Sequence, residues 1–334
     1  MAHVIKGLAS SVPDERFPLV LPDGSSYKSH NMKNTTEWRF AALFASFAIV
    51  LACSAAIAQA PIPGRYRTNG LAVGCQANTF SRFTVFEAIE KTAQAGGRII
   101  EFYPDQRLSN EDAGVLWNAN VSDEIIARVK RKLTQHDIKA VGYGVVSIPR
   151  DEVQARLVFE FAAKMRLSTL VTESVDAIDT LEKLAKEYDV GVAFHHHPRR
   201  ANDRGYRLWD PNYIAGLIKG RDTRIGACVD TGNWMRSGIR PVDGMKILKG
   251  RILCVHLKDM TEFGKRDAHE VPFGTGTSDI PGCLEELKRQ KFAGDIAVEY
   301  EFNPEANLPD VVRCIQFLKN YNKVSGLENL IPGS

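Results

Sequence analysis

The sequence is poor in cysteine: six among 334 residues, at no regular spacing. Cys53 falls in an apolar segment near the start. Cys75, Cys228, Cys254, Cys283 and Cys314 form an odd set that does not resemble a disulfide framework. Cys75, Cys228 and Cys254 each lie inside an apolar run and read as small buried hydrophobes. An excess of charge is also missing. Lys and Arg number 43 against 40 Asp and Glu, a formal net charge of +3, without the basic stripe of a nucleic-acid binder. No Gly-x-Gly-x-x-Gly follows the first strand-like run, so a dinucleotide-binding open sheet has no support.

Long apolar runs are confined to one place. "WRFAALFASFAIVLACSAAIAQAP" carries an apolar stretch from about Phe40 to Ala58, with charge before it and small residues after it. This is the layout of a secretory signal, with cleavage after Ala58 fitting Ala-x-Ala. Residues 1–60 are therefore expected to be a leader and signal peptide, with Met32 an alternative start. An uncleaved anchor, or lipid attachment at Cys53, competes with that reading. Residues 61–334 are expected to form a single catalytic domain.

From there on, two patterns alternate. Eight short runs rich in Val and Ile read as buried strands: "GLAVGCQAN", "RIIEFYP", "IKAVGYGVVSI", "STLVTES", "VGVAFHHHP", "RIGACVDTGNW", "RILCVHLKDM" and "GDIAVEYEF". Between and after them fall longer runs with apolar residues three and four apart, several opened by helix-start signals such as Ser122 and Asp210-Pro211. Eight strands alternating with eight helices over about 260 residues predict an α/β fold, a (β/α)8 TIM barrel.

Parallel barrel strands are buried on both faces, so polar residues within them need a reason. They gather at the carboxyl ends: Glu173 on the fourth strand, His195, His196 and His197 on the fifth, Asp230 on the sixth, His256 and Lys258 on the seventh, Glu299 and Glu301 on the eighth. Those ends share the rim that carries active sites in such barrels. Carboxylates converging with imidazoles suit one divalent metal, Mn, Co, Zn or Mg, and would repel one another without a cation.

From Thr172 to Phe302 the chain resembles the xylose-isomerase-like barrels of the sugar phosphate isomerase/epimerase superfamily, through "CVDTGNW", "CVHLKDM", "VPFGTGTSDIP" and "IAVEYE" in that order. The resemblance implies a metal held by Glu, Asp, His and Glu, with Asp230, His256 and Glu299 in the last three places. The first Glu is replaced by His195, as in the inosose dehydratase branch with its histidine cluster. Glu173, one strand earlier, is the preferred replacement ligand, with His195 the alternative. Asn233 stands where many relatives carry a His.

The expected function is a metal-dependent sugar isomerase or epimerase that removes a proton next to a carbonyl of an unphosphorylated sugar or keto-sugar. A lyase, dehydratase or hydrolase on keto-sugars or 3-keto-glycosides shares that chemistry, and a non-catalytic sugar-binding barrel is the third reading. Glu173, Glu299 and His195 are the candidate catalytic residues. His197, Lys258, His269 and Trp209 are candidate sugar contacts. Partners are expected to be a small-molecule sugar and no nucleic acid, with membrane contact only through the signal segment and a homo-oligomer compatible. The signal segment predicts export to the periplasm or the extracellular space.

Overall fold

The computed structural model describes residues 62–324 apart from residue 113. The expected leader and signal peptide, residues 1–60, lie outside the described residues. Among the described residues no helix is long and apolar enough to cross a membrane.

The eight apolar runs form eight parallel strands: β1 (Leu71–Gln76), β2 (Ile99–Phe102), β3 (Lys139–Tyr143), β4 (Thr169–Thr172), β5 (Gly191–Phe194), β6 (Ile225–Asp230), β7 (Ile252–Leu257) and β8 (Asp295–Val298). Each pairs with the next, and β8 pairs with β1 to close the sheet, so the fold is a (β/α)8 TIM barrel. Helices α1 (Val85–Gln94), α2 (Asp123–Gln135), α3 (Glu152–Met165), α4 (Ile178–Tyr188), α5 (Pro211–Ile218), α6 (Thr231–Arg236), α7 (Pro241–Ile247), α8 (Ile280–Arg289) and α9 (Leu308–Val324) lie between and after the strands. Their starts follow from local chemistry. Thr84 and Glu87 form a reciprocal capping box on α1, and the side chains of Ser122, Asp151 and Asp210 accept from first-turn amides of α2, α3 and α5.

β6 ends at Asp230, as expected, and the rest of the run "RIGACVDTGNW" opens the short helix α6 at Thr231. The Asp230 carboxylate accepts the Asn233 N–H at 2.8 Å, so it caps the helix and ends the strand together.

Strand alternation sorts the core. Outward residues such as Leu170, Val192, Phe194, Val229, Val255 and Leu257 join the main cluster beneath the helices. Inward residues Val171, Ala193, Cys228 and Cys254 form a small separate cluster. Toward the amino end of β8, Asp295 is 1% exposed, and neither carboxylate oxygen has a hydrogen-bond partner. Burial, reinforced by the charge of Glu101, pushes its pKa up to about 8.

Asp295 therefore keeps a proton in the folded chain that the unfolded chain releases near pH 4. Its contribution to stability is complete below that pH and is lost as pH rises toward 8. Asp295→Asn is expected to stabilise the protein at pH 8 by roughly 3–5 kcal/mol and to leave it unchanged near pH 4. Urea denaturation at the two pH values checks this, and an equal effect at both would count against a buried neutral carboxyl.

Candidate active site

Two residues beyond the inward cluster, the same alternation brings Glu173, His195, Asp230 and His256 to the carboxyl rim, and Glu299 follows Ala297 on β8 in the same way. Register completes the placement, since Asp230 and His256 are direct partners across β6 and β7. Of these, His195, Asp230 and Glu299 line a cavity of about 310 Å³ together with Gln76, His197 and Lys258 among others, while Glu173 and His256 lie behind the lining. The volume is at the small end of the range for small-molecule sites.

Asp230 is fully buried and tightly held. Besides capping α6, it accepts the Asn233 amide at 2.6 Å, and its Oδ2 lies 3.3 Å from Lys258 Nζ and 3.5 Å from His195 Nε2. The same Asn233 amide donates to the His196 carbonyl. Burial alone would raise the Asp230 pKa, but the Lys258 ammonium and the His195 bond hold it well below the usual carboxylate range. Asn233 thus has a concrete task that needs no proton relay.

The three histidines have separate surroundings. His196 faces outward, stacks on Trp234 at 4.8 Å, and its Nε2 accepts the Asp230 N–H at 3.1 Å. Burial, then the neighbouring His195, pushes its pKa down to about 3, so it is a neutral structural acceptor. His195 faces inward at 3% exposure, with Nδ1 3.3 Å from Glu173 Oε1 and Nε2 toward Asp230. Burial would lower its pKa, yet the bonds to Asp230 and Glu173 raise it. His197 is exposed at the cavity edge, where its Nδ1 lies 2.6 Å from the same Glu173 oxygen. Tyr206 also donates to that oxygen at 3.0 Å. Burial works against ionisation of Glu173, but its two histidine partners keep it ionised, with its pKa far below the ordinary value.

On the opposite wall, Lys258 is 2% exposed, with Nζ 2.8 Å from Glu299 Oε2 and 3.2 Å from Glu301 Oε2 as well as near Asp230. These carboxylates outweigh burial and raise its pKa well above normal. His256, buried and outside the cavity lining, sets Nε2 3.0 Å from Glu101 Oε1 and Nδ1 3.3 Å from Glu299 Oε2. Burial would favour its neutral form, but Glu101 and Glu299 raise its pKa well above the usual value. Ligand-grade atoms of His195, Asp230 and His256 all lie within 4.8 Å of one another, and those of Glu173, His195 and His197 form a second such group.

Two expected sugar contacts are placed elsewhere. His269 stacks on Phe302 at 4.2 Å and does not line the cavity, while Trp209 lines a neighbouring one. The glycines of "FGTGT" serve Asp259, whose carboxylate accepts the N–H groups of Gly274, Gly276 and Ser278 at 2.9–3.0 Å. A Cβ at Gly276 would stand 2.4 Å from Asp259 Oδ1. Glu101, inside "RIIEFYP", is the site residue that sequence reasoning missed. Its signal was a lone carboxylate within an apolar strand.

A barrel whose carboxyl rim gathers carboxylates and imidazoles in a small polar cavity is an enzyme-like architecture of a recognised kind. The chain belongs to the xylose isomerase-like TIM barrel family, whose model matches residues 89–321. The rhizopine catabolism protein MocC of Rhizobium meliloti is 31% identical over 146 residues, a match spanning 39% of this chain and 42% of that protein. Among solved structures, an uncharacterized Parabacteroides distasonis protein is 29% identical with a TM-score of 0.61, covering 75% of this chain and 99% of its own. A D-tagatose 3-epimerase-like protein is 17% identical with a TM-score of 0.60, covering 78% and 99%. The IOLI protein with a bound zinc atom is 16% identical with a TM-score of 0.52, covering 75% and 98%. The last two share the fold.

Lys258 holds the same oxygens of Asp230 and Glu299 that face the imidazole cluster. Removing it leaves buried charges without a counterion, a loss of about 3–5 kcal/mol. Lys258→Met is expected to lose that much stability in EDTA and to regain much of it with Mn²⁺. Guanidinium denaturation with and without the ion checks both halves; undiminished stability in EDTA would refute the assigned role.

Proposed function

We propose that the protein is a divalent-metal-dependent enzyme that isomerises or epimerises a sugar or keto-sugar by removing a proton from the carbon beside a carbonyl. The observation that carries this reading is the convergence of His195, Asp230 and His256 donor atoms within 4.8 Å in one layer of the barrel. Family membership supports it. So does the fold shared with an epimerase-like protein and a zinc-bound one.

The donor chemistry fits a divalent cation. Two imidazoles and two carboxylates are a suitable mixed set, and the buried Nδ1 of His256 makes no aligned hydrogen bond, only a 3.3 Å ion-pair contact with Glu299 Oε2. We read His195, Asp230, His256 and Glu299 as the residues that would hold it. The bonds of Glu173 to His195, His197 and Tyr206 support its role as the carboxylate that orients His195. This reading prefers His195 to Glu173 as the fourth donor. When bound, such a cation polarises a carbonyl and lowers the cost of negative charge on its oxygen.

The remaining work falls to side chains around the cavity. Glu299 lines it and is kept ionised by Lys258 and His256 against the effect of burial. It is the base that takes the proton. His195 lines the cavity with Glu173 behind it, and exposed His197 connects Glu173 to solvent. A proton taken up from solvent through His197, which lines the cavity, returns to the other side. Lys258 and His197 also line the cavity and are placed to bind sugar oxygens. The apolar segment 40–58 is the basis for proposing export.

Incubated with Mn²⁺ and neutral ketoses in heavy water, the protein is expected to introduce deuterium next to the carbonyl. Glu299→Gln should slow this at least about 100-fold, and dialysis against EDTA should stop it. Undiminished exchange after chelation would remove the metal from the mechanism, and undiminished exchange in the variant would remove Glu299 as base.

A further inference from the structure

Beside the mouth lies a second cavity of about 630 Å³ with a very different lining. Arg199, Arg200, Arg204, Arg207, Arg236 and Arg266 face it, against a single acid, Asp203. Of these, Arg236 is neutralised by Glu270 at 2.9 Å, and Arg200 lies 3.6 Å from Asp203. Among the described residues, no carboxylate pairs with Arg199, Arg204, Arg207 or Arg266. Several are pre-positioned. Arg199 lies over the Trp209 ring at 5.1 Å, Arg207 over Tyr213 at 4.5 Å, and Arg266 donates to the Arg199 carbonyl at 2.7 Å. The Trp209 face is thus covered by a guanidinium, so this wall offers charge to a ligand.

The two cavities are neighbours. Arg236 lines both, and Pro198 of the first is followed directly by Arg199 of the second. Tyr206 lines the second cavity while its hydroxyl bonds Glu173, the partner of His195 and His197 in the first. A concave cluster of unpaired guanidinium groups focuses positive potential, and each fork matches an oxyanion through two parallel hydrogen bonds.

We propose that the arginine cavity binds an oxyanion group, carboxylate or phosphate, carried by the substrate whose sugar ring occupies the barrel mouth. This rests on the proposed sugar chemistry of the mouth and narrows its substrate class to acidic sugars or sugars bearing an acidic substituent. A carboxylate is the form consistent with an exported enzyme.

Calorimetric titration of the full-length protein at low ionic strength, with D-glucose, D-glucuronate and D-glucose 6-phosphate in turn, tests this without requiring turnover. At least one anionic sugar is expected to bind about tenfold or more tighter than glucose. The triple variant Arg199→Gln, Arg204→Gln, Arg207→Gln should erase that preference while glucose binding stays unchanged. Preference for glucuronate identifies a carboxylate site, and preference for glucose 6-phosphate a phosphate site. Equal binding of all three sugars, or a preference that survives in the triple variant, overturns the proposal. Duplex DNA binding as tightly as either acid overturns it too, by marking a general polyanion surface. A failure of deuterium exchange alongside arginine-dependent anion binding would count against the catalytic reading alone. Exchange on neutral ketoses with no anion preference would count against this inference alone.

Discussion

Burying Asp230 and Glu299 beside each other, with Glu301 at the edge, is tolerable only because the Lys258 ammonium sits among them. Isolated carboxylates in a low-dielectric interior would take up protons to escape the cost of burial. Here the opposite holds, and both Asp230 and Glu299 stay ionised well below the usual range. The mouth is therefore a store of negative charge held in fixed positions. A site of that kind attracts cations, and its own lysine is the one already in place.

The neighbouring groups keep this charge aimed. Asp230 receives the Asn233 backbone and side-chain amides, so its two oxygens are oriented before any ligand arrives. His196, neutral and stacked on Trp234, fixes the backbone of Asp230 from behind. From the end of the fourth strand, Glu173 gathers two imidazoles of the fifth and a phenol on one oxygen. The run of three histidines is thus divided by strand alternation into one structural residue and two that face the cavity. Residues that never reach a ligand still decide the geometry of those that do.

Much of this arrangement was legible before any coordinates. Each of the eight Val- and Ile-rich runs contains one barrel strand, because strands buried on both faces cannot carry an alternating polar pattern. Polar residues at the ends of those runs had to lie at one rim, which brought Glu173, His195, Asp230, His256, Lys258 and Glu299 together on the page. What stayed hidden depends on contacts distant in sequence. Glu101 reads as an ordinary strand residue until His256, 155 positions away, is seen bonded to it. His269 and Trp209 sit on loops whose paths are set by tertiary packing, so their spacing from the strands says nothing about which cavity they meet. The short helix α6 was not foreseen, because it opens inside the run whose strand ends at Asp230.

The two cavities differ in how their charges are matched: the carboxylates of the barrel mouth have Lys258 and imidazole partners, while the Arg199–Trp209 loop presents guanidinium groups without carboxylate partners. A ligand with an anionic substituent at one end gains from that division in orientation as well as affinity. Its charge meets carboxylates already paired with Lys258 at one end and unpaired arginines at the other, so entry with the charge toward the arginines is favoured. In that pose the uncharged, oxygen-rich end reaches Glu299 and the His195 cluster. A neutral ketose has no such bias and can enter either way round. Under the proposed function, the arginine loop would contribute to selection of the carbon that faces Glu299, because it would decide which end of the substrate arrives there.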